Sequence, residues 1–562
     1  MANSEIIKDP EIIAGLFADL FKNCFATDDF VPDDNFFQYL NSVPKVNIGA
    51  ILIDRADIFR ALTSLDDDCS SGPDGIPAII LRNCAGSFVN PLASLFARSI
   101  SEGYFPNIWK ISFISPILKK GCNKDVCNYR PIAKLSSIPK VFERLVYDMI
   151  KDDCYKIISS RQHGFIKGRS TTSNLLEFST FCLSSFENKN QVDCVYTDFS
   201  KAFDKLSHKL IIFKLRAIGF PTVLVNWMES YLTDRFYQVK FRGTTSKLFQ
   251  ATSGVPQGSH LGPLLFILAL NDVGTVIRHS NVLIYADDMK IFKKIDDLTD
   301  CALLQSDIKE FDRWCSKKNL YLNAEKCQSK IVFEYSIDNT VLCDVDSVRD
   351  LGVSFDTNLT FNRHIDLICT KASSLFGFIK RWAKEFNNPL VTKTLFTTIV
   401  RPHLEYASQV WSPYYRVHID RIEKIQKRFV RFALNHLNWS DPFALPPYGS
   451  RLKLLNLESL EERRKNADIV YIHQLSVGSF NAPDLLALIN VNNNRRSSRT
   501  SNNFYYLPFC TSNYSMYSPL NRMCRAANES SCFNINLSKC TLKRRLRVNI
   551  LNGQSAAHVT NQ

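Results

Sequence analysis

The chain reads as an α+β fold whose C-terminal third turns helical. Three observations carry that reading. Strand-forming runs alternate with amphipathic helices from about residue 109 to 356. Helical periodicity then holds from about 365 to 434. The sharpest strand signal, at 282–292, encloses two adjacent carboxylates. Val282, Leu283, Ile284 and Tyr285 favour one strand, and Met289, Ile291 and Phe292 favour a second. Asp is a turn residue, so Asp287 and Asp288 are expected at the tip of a β-hairpin. Neighbouring carboxylates repel unless a cation lies beside them. A divalent ion with oxygen ligands, Mg²⁺ above all, is the natural partner. An Asp pair in a solvated turn is the plainer alternative, and only the rest of the chain separates the two.

The 562 residues are 45% hydrophobic and 12% aromatic, enough for several cores. Charged residues make up 22%, which excludes a mainly disordered chain. The net charge of +14 suits a polyanionic partner, nucleic acid first. The 17 cysteines include no CxxC pair and complete no zinc pattern. They read as thiols in a reducing compartment, nucleus or cytoplasm. No signal-peptide layout opens the chain, and the longest apolar run, 261–270, is too short to cross a bilayer, so no membrane partner is expected.

Taken in order, Ile13, Phe17, Leu20, Phe21 and Cys24 predict an amphipathic helix, followed by a linker at 28–47 and a short helix at 58–65. Gly72-Pro73-Asp74-Gly75 is a turn by composition. A strand is expected at 109–118 and a basic stretch at Asn128-Tyr129-Arg130-Pro131-Ile132. A helix is expected at 140–151, then a Gly-punctuated basic loop at 162–170, whose Ser170 or Thr171 caps a helix at 174–186. Cys194 to Tyr196 read as a buried strand with Asp198 at its end. Helices at 209–218, stopped by Gly219, and at 223–232 precede a hairpin at 236–251. The tight loop Ser253-Gly254-Val255-Pro256-Gln257-Gly258-Ser259 leads into a helix through 270. Beyond the Asp-Asp hairpin come a helix through Leu304, Ile308, Phe311 and Cys315, a strand at 331–335, and a short Gly-containing strand at 349–353. Ile419, Ile422, Ile425 and Phe429 form an apolar stripe, with Arg421, Lys424, Lys427, Arg428 and Arg431 on the other faces. Such a basic face either meets solvent or tracks phosphates. A helix is expected at 454–474, and a loosely ordered tail from Val491.

Asp198, Asp287 and Asp288 fall into one scheme: three carboxylates, about ninety residues apart, that a fold must bring together. Two Mg²⁺ ions roughly 3.5–4 Å apart at such a site would clamp the attacking and leaving oxygens of an in-line phosphoryl transfer. Positioning and charge neutralisation do most of the work in that chemistry.

Tyr285-Ala286-Asp287-Asp288 resembles the YxDD box of reverse transcriptases. Other stretches stand in the order seen in LINE-type, jockey-like non-LTR retrotransposon reverse transcriptases. They are residues 71–76, 128–132, 162–171, 196–204, 253–266 and Leu351-Gly352-Val353. Arg401-Pro402-His403-Leu404-Glu405-Tyr406-Ala407-Ser408 and Val410-Trp411-Ser412-Pro413 resemble the segment such elements carry after the polymerase.

The resemblance implies a right-hand polymerase. Residues 1–60 would be a helical extension and linker, and 61–356 fingers and palm, with a core of about 100–356. Residues 357–440 would be a helical thumb and 441–562 a C-terminal extension with a partly disordered tail. It implies an RNA-directed DNA polymerase using an RNA template, a DNA primer or target and deoxynucleoside triphosphates. Asp198, Asp287, Asp288 and the Phe199 carbonyl would hold two Mg²⁺ ions, Mn²⁺ being a substitute. Phe203 would lie under the incoming sugar and disfavour a 2′-hydroxyl, Gln257 beside the nucleotide, and Arg130 against the triphosphate. Lys326 would protonate the leaving pyrophosphate, and Leu351-Gly352-Val353 would grip the primer end.

His260 and Cys69 depart from the family pattern at positions that touch no expected ligand. No endonuclease, RNase H or CCHC signature is apparent, so an endonuclease is expected from upstream or in trans. The rivals are a non-catalytic nucleic-acid-binding remnant and an RNA-templated RNA polymerase.

Overall fold

The computed structural model describes residues 7–28, 30–31, 43–67, 71–119, 121–197, 199, 201–318, 320, 328–329, 333–337, 340–383, 388–434, 446–492 and 503–553. Two sheets organise its N-terminal two thirds. The first joins β1 (Ile111–Leu118), β2 (Tyr129–Lys134) and β4 (Arg235–Phe241), with β1 antiparallel to β2 and parallel to β4. The second is built on β3 (Gln191–Thr197), flanked by the hairpin of β7 (Asn281–Tyr285) and β8 (Asp288–Ile295). Of the two strands between β4 and β7, β5 (Thr244–Thr245) and β6 (Phe249–Ala251) both pair with β4.

The second sheet is buried on both faces, and strand alternation sorts its residues between two cores. Val195, Val282, Ile284, Met289 and Ile291 face a core shared with helices Ser137–Ile157, His208–Ala217, Leu261–Leu270 and Leu298–Lys317. Cys194, Leu283 and Phe292 face a second core, which joins helix Thr171–Glu187 to the C-terminal helices through Phe178, Phe355, Ile365, Phe376 and Phe429. Helix Pro10–Lys22 covers the first sheet, setting Phe17 against Tyr129 at 5.0 Å and Phe241 at 5.8 Å between ring centroids.

Most expected elements are present, with longer ends. Ser170 caps helix Thr171–Glu187 in a reciprocal box with Ser173. Gly219 ends its helix at φ 91°, a left-handed conformation that costs glycine little. Four expectations need correction. Leu351-Gly352 are not strand interior. They form the two-residue turn between Ser347–Asp350 and Val353–Asp356, both with positive φ (42° and 91°), as a type I′ hairpin demands. The helix expected at 454–474 is two helices, Tyr448–Leu454 and Leu460–Ser476, separated where Asn456 takes φ 48°. The strand expected at 331–335 is observed at Ser336–Ile337, and residues 330–332 lie outside the described set. Finally, residues 503–553 of the expected loose tail include helices Pro519–Glu529 and Lys539–Gly553. The first buries Leu520, Met523, Cys524 and Ala527, spaced for one helix face, against the C-terminal core.

Inside the first core Asp272 receives two buried ammonium groups, Lys214 and Lys318, each at 2.6 Å. Burial pulls the pKa of both lysines below the usual value. Asp272 is itself buried, yet the two charges hold its own pKa down. Removing one member of a buried ion pair costs about 3–5 kcal/mol, because the remaining charge keeps its desolvation penalty. Asp272→Ala is expected to lower unfolding stability by about that amount, read from urea midpoints.

Candidate active site

The β7–β8 turn is made by Ala286 and Asp287, while Asp288 opens β8 opposite Tyr285. The two acids are therefore not equivalent at a loop tip: Asp287 is half-buried in the turn and Asp288 is exposed at the strand start. Ala286 takes φ 59°, unusual for a residue with a Cβ. A neighbouring loop holds this turn from behind. The Gln162 side-chain carbonyl accepts from Ala286 N–H at 3.1 Å and Gly164 N–H at 2.7 Å. The Ile284 carbonyl accepts from His163 N–H at 2.8 Å and from the Asn174 amide at 3.2 Å. Gly164 approaches so closely that a Cβ there would stand 2.4 Å from the Ala286 nitrogen. The basic loop of the sequence is thus the back wall of the carboxylate turn. Its Arg169 is spent on the Ser159, Ser160 and Gln162 carbonyls and on Asn481.

Asp198 and Lys326 lie outside the described residues. Thr197, immediately before Asp198, is registered against Met289, immediately after Asp288. The end of β3 therefore runs to the acidic turn. Phe199 is buried, 4% exposed. Among the described residues no cluster of three metal-ligating side chains occurs, so the described donors are the two carboxylates. Two hard oxygen donors side by side at a partly exposed strand end suit Mg²⁺ chemically, and they offer nothing to a soft metal.

A second wall is formed by Phe203, Asp204 and the Pro256-Gln257-Gly258 loop. Phe203 stacks on Phe266 at 4.1 Å between centroids and meets the edge of Phe165 at 6.0 Å. Val255 N–H donates to the Phe203 carbonyl at 2.8 Å, and Ala133 N–H to the Gln257 carbonyl at 2.9 Å, so the loop ties the short helix Ala202–Lys205 to the first sheet. Its glycines are steric necessities: a Cβ on Gly254 would stand 2.5 Å from the Phe203 carbonyl oxygen, and one on Gly258 2.7 Å from that of Ala133. The Gln257 amide donates to the Asp204 carboxylate at 2.8 Å. Asp204 is 8% exposed, and burial pushes its pKa up to about 6 against the pull of Gln257 and Lys201.

The third wall is the Leu351-Gly352 turn. The Tyr406 hydroxyl donates to the Leu351 carbonyl at 2.9 Å and lies 3.0 Å from Thr171 Oγ1. Its ring fills the space a Cβ on Gly352 would need, at 3.1 Å. Tyr406 also faces the acidic hairpin: burial first, then Tyr406 and Asp288, push the Tyr285 phenol pKa up. Arg130 is exposed on β2, opposite Ile117. The structure thus draws Phe203 and Gln257 into one wall and Leu351 and Gly352 into another. Sequence reading passed over Gln162, Asn174, Asp204 and Tyr406 as site-building residues. Tyr406 stood in a quoted motif without a role, and no spacing rule reveals that its ring packs on a turn 54 residues earlier.

Residues 117–355 match the family described as reverse transcriptase (RNA-dependent DNA polymerase). The chain thus contains a stretch that resembles that family. It is also similar to three proteins of Drosophila melanogaster. The RNA-directed DNA polymerase from mobile element jockey is 27% identical over 74% of this chain and 48% of that protein. The probable RNA-directed DNA polymerase from transposon BS is 25% identical over 76% and 50%, and that from transposon X-element 26% over 70% and 45%. The chain spans about half the length of these curated relatives. The resemblance to jockey-like non-LTR reverse transcriptases therefore extends well beyond the domain itself.

Two outcomes follow from this site. Gln162→Leu strips the acceptor from two N–H groups beneath the turn and is expected to cost about 2–4 kcal/mol in denaturant unfolding, with Gln162→Glu milder. Asp204 binds its proton more tightly folded than unfolded. Its contribution to stability is therefore full below about pH 4 and lost as pH rises through about 6. Asp204→Asn keeps an acceptor for Gln257 and has no proton to lose. It is expected to flatten that slope and to gain about 2 kcal/mol at pH 7.5 relative to pH 4.5.

Proposed function

We propose that the chain is an RNA-directed DNA polymerase of a non-LTR retrotransposon, extending a DNA 3′ end with deoxynucleotides on an RNA template. The observation that carries this reading is the register of β3 on β8. It runs the chain leading to Asp198 against the Asp287-Asp288 turn, within a stretch that matches the reverse transcriptase family. On this reading residues 61–356 are fingers and palm, 357–440 the thumb, and 1–60 and 441–562 extensions. The first sheet then belongs to the fingers and the second to the palm.

Asp198, Asp287 and Asp288, with the Phe199 carbonyl, would hold a pair of divalent ions. When bound, these supply charge neutralisation at the triphosphate and a more acidic 3′-hydroxyl. The chain's own residues do the positioning. The stacked ring of Phe203 gives the sugar a flat floor that crowds a 2′-hydroxyl. Asp204 fixes Gln257 by its amide, which aims the loop at the nucleotide. Arg130, exposed on β2, reaches toward phosphate from the fingers side. Lys326 delivers the proton to the departing pyrophosphate. The Leu351-Gly352 turn, stiffened by Tyr406, with Val353 behind it, holds the primer end. Lys424, Lys427, Arg428 and Arg431 line the exposed face of helix Arg416–Leu434 and track the duplex backbone. Template RNA, DNA primer or target and an endonuclease supplied upstream or in trans complete the proposed assembly, acting in the nucleus or cytoplasm.

Primer extension on an RNA template with Mg²⁺ tests the assignment. Asp287→Ala is expected to reduce synthesis by at least about 10²–10³-fold. Phe203→Ala is expected to raise ribonucleotide incorporation relative to deoxynucleotide. Undiminished synthesis by Asp287→Ala removes the assignment.

A further inference from the structure

A cavity of about 310 Å³ opens beside the segment that follows Tyr406, away from the carboxylate turn's own walls. Its rim is aromatic. Tyr414, Tyr415, Tyr514 and Tyr517 all line it, with Trp411 at its base. Tyr414 lies flat on Tyr517, 4.1 Å between centroids with 4° between planes, and Tyr415 packs beside Tyr414 at 4.2 Å. Tyr415 is nevertheless 54% exposed and Tyr514 40%, so ring area at the mouth faces solvent. These rings are held by rigid neighbours. Trp411 donates to the Tyr406 carbonyl at 2.8 Å, and Tyr514 meets the edge of Phe186 at 5.8 Å.

The polar lining is equally selective. Three residues with amide side chains, Asn358, Asn362 and Asn513, line the same space. His418 lines it too. Among the described residues no carboxylate lines the cavity, in a chain with 55 Asp and Glu. A neighbouring cavity shares Tyr414, Tyr517 and Arg522 as its wall but is lined by charges of both signs, Glu461, Asp468 and Glu529 with Arg464, Lys465 and Arg525. The first cavity is lined by the cation Arg522, whose guanidinium is engaged by Asp468 at 2.9 Å.

Flat open rings, amides able to pair with base edges and a described lining without acids together describe a receptor for an unpaired nucleobase. At this volume the cavity sits at the small end of ligand pockets, sized for one planar ring system rather than for a helix. The geometry points to a second nucleic-acid site, in which one base of a single-stranded RNA or DNA segment stacks on Tyr415 and Tyr514. This site is separate from the polymerase reading and stands without it. It sits on the polypeptide that carries Tyr406 to the Leu351-Gly352 turn, so a strand held there is anchored on the same support as the proposed primer grip.

The test uses the whole chain and an unprimed 12-nucleotide strand carrying 5-bromouridine, in RNA and DNA versions. Ultraviolet crosslinking is expected to map to Tyr415 or Tyr514, and the version that crosslinks better identifies the natural strand. The double variant Tyr415→Ala/Tyr514→Ala is expected to lose that crosslink and to weaken binding about tenfold. Tyr415→Phe, which keeps the stacking face, is expected to bind as the parent does. Both tyrosines are substantially exposed, and an unchanged thermal midpoint excludes unfolding as the cause. Asp287→Ala is expected to keep the crosslink, so failure of the polymerase assignment and failure of this site are told apart. Crosslinks confined to other segments, blunt duplex competing as well as single strand, or a proline-rich peptide protecting these tyrosines where oligonucleotide does not, would each overturn the proposal.

Discussion

The acidic turn is an electrostatic and conformational liability that the rest of the domain holds in place. Two carboxylates follow one another, and the residue before them sits at positive φ despite carrying a Cβ. Such a conformation costs about 1–2 kcal/mol and persists only where its surroundings over-determine it. Here the surroundings are backbone. Gly164 touches the Ala286 nitrogen at a separation no side chain would permit, and one amide oxygen of Gln162 serves the N–H groups on both sides of that contact. The two acids are fixed because the loop behind them leaves the turn one conformation.

Charge buried next to the site sets register more than it adds stability. Lys290 lies two residues beyond Asp288, is 2% exposed, and pairs with Asp350. Its ammonium sits 4.7 Å over the Phe178 ring. A buried pair recovers little net energy after desolvation, so its clearest effect is to specify which residues meet. Asp350 immediately precedes the Leu351-Gly352 turn. The pair thus locks that turn to the strand carrying Asp288, and Tyr406 closes the arrangement from the other side.

The C-terminal helices are continuous with the domain rather than appended to it. Helix Thr171–Glu187 has one face on the second sheet and shares the second core with Trp411, Phe429 and Leu520. Arg463 grips Glu405 with two nitrogens, and Arg522 ties Asp468 to the Gln409 and Ser412 carbonyls. These bonds stiffen the stretch from Glu405 to Pro413 from behind. A segment with no predicted catalytic group thereby becomes a structural arm of the site.

Much of this was legible in the sequence, for a definite reason. Strand alternation, helix caps and turn chemistry are local, so the hairpin around Asp287 and Asp288, the Ser170 cap and the stop at Gly219 could be read from neighbours in the chain. The order of motifs gave the family resemblance in the same way, since order is a one-dimensional property. The tertiary structure alone decided what each motif leans on. Gln162 beneath Ala286, Gln257 on Asp204 and Tyr406 on Leu351 join residues 53 to 124 positions apart. Contacts of that span follow from how two sheets and their helices exclude water together, and no periodicity in the chain encodes them.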